Sequence, residues 1–311
     1  MKNFLLVICL LVFSSFMVTD EVCCDYIAKG YYQLIHEAEI DYLSGDKEEA
    51  YRKITEAKSI CTLLNQPAYF EMFRYVELLS ERDKFDEAIY YITILVKDYG
   101  YPSDYFESRL LNSNVNLDSL KIELDRLNKL FYTEERVQLA EELKEMLNKD
   151  QAVRKLPDDE IVSEEFWHTL LRTDSINEQR MKEIFEQYGY PNERILGFEN
   201  VVLSFNIRIM LMHFADTAYF KPVLLQFIKQ GKCEPSVLAA FVDSRQRLDT
   251  RTDKYIYRYY DNAEDHEIWD ITNLDNRRQA IGLPSMEMEH KCDSLRSVFY
   301  SVEVSSTTLD E

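Results

Sequence analysis

The chain has 311 residues, of which 46% are hydrophobic and 30% charged. That length favours two compact units, and that composition excludes a chain disordered throughout. Asp and Glu number 56 against 36 Lys and Arg, a net charge of −20, which excludes neutralisation of a nucleic-acid backbone as a leading role and disfavours anionic membrane surfaces. Gly occurs only seven times. Tight hairpin sheets and phosphate-cradling loops both consume Gly, so an all-α fold with plain loops is expected.

Lys2 precedes an apolar run from Phe4 to Val18, broken only by Ser14 and Ser15. A short basic start and an apolar stretch of this length predict a signal peptide over residues 1–20, hence export to a periplasmic or extracellular space. The run is short for a membrane anchor. A buried first helix and an uncleaved anchor stay open, because no small-x-small pair precedes Thr19. Cys23 follows Glu21 and Val22, not the small residue that a lipid acceptor prefers. Membrane association would come only through this segment, uncleaved or lipidated.

Cys9 leaves with the signal, and Cys23, Cys24, Cys61, Cys233 and Cys292 stay, an odd number. Export permits disulfides, and either Cys23 or Cys24 reaches Cys61 if the first two helices run antiparallel. As small buried hydrophobes, all five fit equally well. His36, His168, His213, His266 and His290 form no H-E-x-x-H or H-x-H, and no C-x-x-C occurs, so no metal is expected and the cofactor question stays open.

Cys24 to Ile60 carries helical periodicity interrupted at Ser44-Gly45-Asp46, a helical hairpin. Ala38, Gly45, Ala50, Ile54 and Ala57 fall where the tetratricopeptide repeat, which this segment resembles, has small and turn residues. A second unit, Tyr69 to Tyr99, turns at Arg82-Asp83-Lys84 and carries Phe85, Ala88, Ile92 and Leu95. The resemblance implies repeat-like hairpins over 24–115 with a concave face for a protein or peptide; an unrelated helical bundle is the other reading. Connecting helices follow within 116–149, at Leu117–Leu130 and Thr133–Asn148. A helical domain is expected over 150–300, and Ser305 to Thr308 mark 301–311 as a frayed tail.

The second half resembles an uncharacterised bacterial family, a domain of unknown function, over residues 150–290. Asp150-Gln151 with Arg154 is similar to its D-Q-x-x-R, and Gly189-Tyr190-Pro191 with Gly197 to its G-W-P…V-G. His213-Phe214-Ala215-Asp216 resembles its Q-H-A-D, with Met212 where the family has Gln. Ala239 to Arg245 resembles A-Y-L-x-D-R, with Ser244 separating Asp243 from Arg245. Arg277-Arg278 with Gly282-Leu283-Pro284 resembles R-R-x-x-x-G-L-P. Tyr257-Arg258-Tyr259 stands near the place of the family's Y-G-T-Q.

Phe198 to Ala215 is apolar nearly all round and reads as one buried central helix. Glu199, Asn206 and His213 recur every seven residues along it, with Asp216 one turn on. Buried polar groups need partners, so this stripe predicts either structural ion pairs or a polar site. In the site reading His213 is a base or ligand, Asp216 its orienting carboxylate, and Asp243 with Arg245 the substrate contacts. Glu199, Asn206, His266 and Arg277 would line it. The Tyr255–Tyr260 run suits a core or a groove. The sequence therefore supports a protein- or peptide-binding scaffold first, and an enzyme, in that case a hydrolase, second.

Overall fold

The computed structural model of the chain describes residues 24–106, 117–155, 163–204, 206–250, 254–259 and 267–307. The expected signal segment, Cys23 and His266 lie outside the described residues. The fold is all-α, apart from a two-residue parallel bridge.

Helices α1 (Tyr31–Ser44) and α2 (Lys47–Ile60) form the first hairpin. Gly45 closes α1 at φ +89°, a left-handed conformation that a side chain would strain. The Asp46 carboxylate then accepts the Glu49 N–H at 3.1 Å and caps α2. Helices α3 (Glu71–Ser80) and α4 (Phe85–Tyr99) make the second hairpin, turning through residues 81–84 as the sequence predicts. Ala50, Ala57 and Ala88 are wholly buried, so their missing side chains let the paired helices approach. Cys24 and Cys61 form a disulfide across the foot of the first hairpin, with Cα atoms 5.8 Å apart.

A 3-10 turn (Ser103–Phe106) leads towards α5 (Leu117–Phe131) and α6 (Glu134–Ala152), which Thr133 caps through the Arg136 N–H. The long α7 (Glu164–Tyr188) follows, then a one-turn α8 (Glu193–Leu196), a π-helical turn (Glu199–Ser204) and a short α9 (Ile207–Leu211). Helices α10 (Thr217–Lys229) and α11 (Pro235–Thr250) pack together. Strands β1 (Lys254–Tyr255) and β2 (Glu267–Ile268) pair in parallel, and α12 (Leu274–Gln279) and α13 (Met286–Thr307) complete the chain.

Three expectations are corrected. The continuous helix over 198–215 is instead a π-turn, a break and the short α9. Asn206 takes an extended conformation and its side chain accepts the Arg208 N–H at 3.0 Å, so this residue starts a helix instead of continuing one. The tail is helical through Thr307: α13 docks on α1 through Cys292, Leu295 and Phe299, and extending a docked helix costs far less than nucleating one. Finally, the 116–149 connection does not divide two cores. One cluster of buried apolar residues runs from Tyr26 through Ile92 and Leu143 to Phe220, Phe241 and Leu283.

Polar contacts cross the same boundary. The Tyr32 hydroxyl donates to the Ile228 carbonyl at 2.9 Å, and the Tyr26 N–H to the Lys229 carbonyl at 3.0 Å. The His36 Nε2–H donates to the Gly282 carbonyl at 3.0 Å. Gly282 itself has φ +91°, and a Cβ there would press on the Tyr32 ring at 2.8 Å. The inner side of α1, expected to face a partner, is thus covered by residues from the second half of the chain.

Candidate functional site

The residues singled out along the sequence do not share one site. His213, partly exposed, places Nδ1 3.0 Å from Oδ1 of Asp150, so its carboxylate partner is Asp150 and not Asp216. Asp150 is fully enclosed and also accepts from Arg154 Nη1 at 2.9 Å and Gln151 Nε2 at 2.7 Å. Ligand atoms of Asp150, Asp174 and His213 all lie within 4.8 Å of one another, a spacing that a cation would accept. Arg154, however, bridges the two carboxylates and already supplies the positive charge. The cluster therefore reads as an ion-pair network tying α6, α7 and the turn after α9.

Asp216, Asp243 and Arg277 hold backbone. Asp216 caps α10, accepting the Tyr219 N–H at 3.0 Å, and pairs with Lys182 at 2.8 Å. That ion pair and the cap hold its carboxyl below the usual range. Asp243, fully buried, accepts three N–H groups, from Ile256 at 2.7 Å and from Tyr257 and Tyr259 at 2.9 Å. Arg277 donates to the carbonyls of Ile256, Asp270 and Trp269, and so clips the same segment. Arg245 is half-buried beyond Asp243 on α11, and Glu199 is exposed on the π-turn. None of these residues lines a described cavity; only Asn206 does.

That cavity is a cleft of about 350 Å³ where the hairpins meet the second half. One wall is the loop 64–68 after α2, with Tyr99 at the end of α4. The opposite wall combines residues 190–194, Val201 and 206–208 with the turn 231–234, and Tyr259 and Arg296 close one end. The volume lies in the range that holds small molecules. Sequence order hides it, since its parts are contributed by loops and helix ends far apart along the chain.

Buried polar residues line this space. Glu193 is 4% exposed and Gln66 5%, and Glu193 Oε1 and Gln66 Oε1 each lack a hydrogen-bond partner. Such orphaned acceptors are rare in folded proteins and cost about 1–3 kcal/mol each. Burial pushes the Glu193 carboxyl well above its usual range, with Glu234 adding repulsion. Glu234 is also raised by burial, although it accepts the Ala68 N–H at 3.0 Å and the Ser236 hydroxyl at 3.1 Å. The Cys233 thiol is pushed up by burial and so is a poor nucleophile. Sequence reading missed Gln66, Glu193 and Glu234, because a buried carboxylate and a surface one look alike without a fold; Pro67, Pro191 and Pro235 beside them were the available signals of loops.

No protein-family model, curated protein or solved structure matches the chain.

Proposed function

We propose that this is an exported binding protein whose ligand is a small polar molecule held in the cleft between the hairpins and the second half. The observation that carries it is the pair of buried, unpartnered acceptors, Glu193 Oε1 and Gln66 Oε1, on the walls of a space of about 350 Å³. An unsatisfied acceptor beside a cleft is a place where a ligand can complete the hydrogen bonding. The hairpins then act as one wall of a site, in place of the concave partner-binding face expected for repeats. Export is supported by the Lys2-led apolar run and by the Cys24–Cys61 disulfide, which persists in oxidising compartments.

Residues of the motifs in the second half touch one another. Asp150 and Arg154 of the first meet His213 of the third, and Arg277 of the last clips the segment that Asp243 of the fourth holds. These contacts make the motifs supports of the fold, and the enzymatic reading has less to stand on. His213 with Asp150 has the form of an oriented base, but it borders no described cavity.

Equilibrium dialysis of the secreted protein against a metabolite mixture, read by mass spectrometry, tests the reading. One or more polar compounds should be enriched, and Ala68→Trp, which fills the cleft, should abolish the enrichment. Equal retention by a folded Ala68→Trp protein would sink the proposal.

A further inference from the structure

The charge around the cleft runs against the charge of the chain. At a net charge of −20, many Lys and Arg in the described residues sit beside carboxylates, as Arg52, Lys53, Lys58, Arg180 and Lys182 do. Arg194, Arg208 and Lys232 line the cleft, and among the described residues none has a carboxylate within ion-pair distance. The Arg208 guanidinium meets the Tyr259 side chain, its Nη1 lying 3.3 Å from the hydroxyl and its centre 5.7 Å from the ring. Arg194 lies over the Tyr99 ring at 5.4 Å. The fourth cation, Arg296, is already neutralised by Glu39 at 2.9 Å.

Two carboxyls, Glu193 and Glu234, share the lining. Burial disfavours their ionised forms, and even when ionised they are outnumbered by Arg194, Arg208 and Lys232, so the lining carries net positive charge within an acidic protein. Arg208 is half-buried with Glu234 as an electrostatic partner, and Arg194 and Lys232 are exposed at the rim, so an added anion is favoured there. Gln66 Oε1 accepts only, so a hydroxyl or amino donor on the same ligand would suit it.

Resting on the binding function proposed above, we infer that the ligand is a small organic anion that also carries hydroxyl or amino donors. A carboxylate or phosphate group meets Arg208, Arg194 and Lys232; the planar guanidinium forks of the two arginines suit either, and the Lys232 ammonium adds a point charge. Its donors reach Gln66 Oε1 and Glu193 Oε1. Sugar acids and sugar phosphates share this chemistry.

Calorimetric titration of the full secreted chain at neutral pH and low salt tests it with defined probes. Glucuronate and glucose 6-phosphate carry both features and separate the carboxylate source from the phosphate source. Glucose lacks the charge, glucosamine reverses it, and acetate and inorganic phosphate lack the hydroxyls. At least one of the first two should bind about tenfold or more tightly than the other four. Arg208→Gln with Lys232→Gln, folded by circular dichroism, should remove at least that factor and flatten the salt dependence. Tightest binding by glucose or glucosamine, abolished by Ala68→Trp, would overturn the anionic class while leaving the cleft as a ligand site. Equal binding of acetate or phosphate would overturn the requirement for donors. If no probe binds at millimolar concentration the inference fails, and metabolite enrichment against Ala68→Trp then decides separately whether the cleft binds anything.

Discussion

The guanidinium of Arg296, on the last helix, donates twice to one oxygen of Glu39 on the first, from Nε at 3.0 Å and Nη2 at 2.9 Å. Glu39 is buried, and Arg74 approaches the same oxygen at 3.1 Å. Arg296 also donates to the Ala68 carbonyl at 3.0 Å. One side chain thus ties α13 to α1 and to the loop that forms a cleft wall. Arg296→Ala strands part of a buried charge, and about 3 kcal/mol of stability should be lost, the low end for a broken buried pair because Arg74 remains. A urea midpoint lowered at unchanged slope is the expected result.

His36 sets the acid limit. Burial lowers its pKa to about 4, and its Nε2–H is committed to the Gly282 carbonyl. An unfolded His takes up a proton near pH 6.5, so the unfolded state binds more protons between pH 6.5 and 4 and stability falls as pH drops through that window. The loss is about 3 kcal/mol once both states are protonated. His36→Gln keeps a donor without a titrating group. Its melting temperature between pH 6.5 and 4 should fall less than that of the parent chain.

Glu71 works in the opposite direction. Burial raises its pKa to about 8, against the N–H of Gln66 at 2.8 Å, which favours the ionised form. The unfolded group loses its proton near pH 4.5 and the folded one near 8, so stability declines as pH rises from 4.5 to 8. Glu71→Gln removes that decline. Denaturation midpoints at pH 6 and pH 8 should lie closer together in the variant than in the parent. A gap of the same size in both would show that another group carries the dependence.

The Cys24–Cys61 bridge closes a loop of sequence separation 37. Constraining that loop in the unfolded chain is worth about 3–4 kcal/mol in the loop-entropy account. Cys24→Ser and Cys61→Ser should each lower stability by that order, and the double variant by little more than either alone. Additive losses would mean that the two sulfurs act separately.

Much of the architecture was legible in the sequence because local rules wrote it. Ser44-Gly45-Asp46 pairs a left-handed helix stop with a capping carboxylate, and Thr133 caps its helix as read. The helix over 198–215 failed for a similar reason: hydrophobic periodicity outweighed Asn206, a capping residue whose signal is only one residue long. The candidate site was hardly legible. Asp216, Asp243 and Arg277 are polar residues that hold backbone, and nothing in their spacing separates that duty from chemistry. Glu193 and Gln66 become notable only when the fold buries them.

The cleft also has a kinetic meaning. Its walls join residues 64–68 to 190–194, 206–208, 231–234 and finally Arg296, contacts spanning more than two thirds of the chain. Closing such long loops is entropically late work, so the pocket assembles only when nearly the whole polypeptide is in place. A chain truncated before α13, or arrested with its halves undocked, would keep its helices and lack the cleft, so binding of the proposed ligand would serve as a gauge of completed folding.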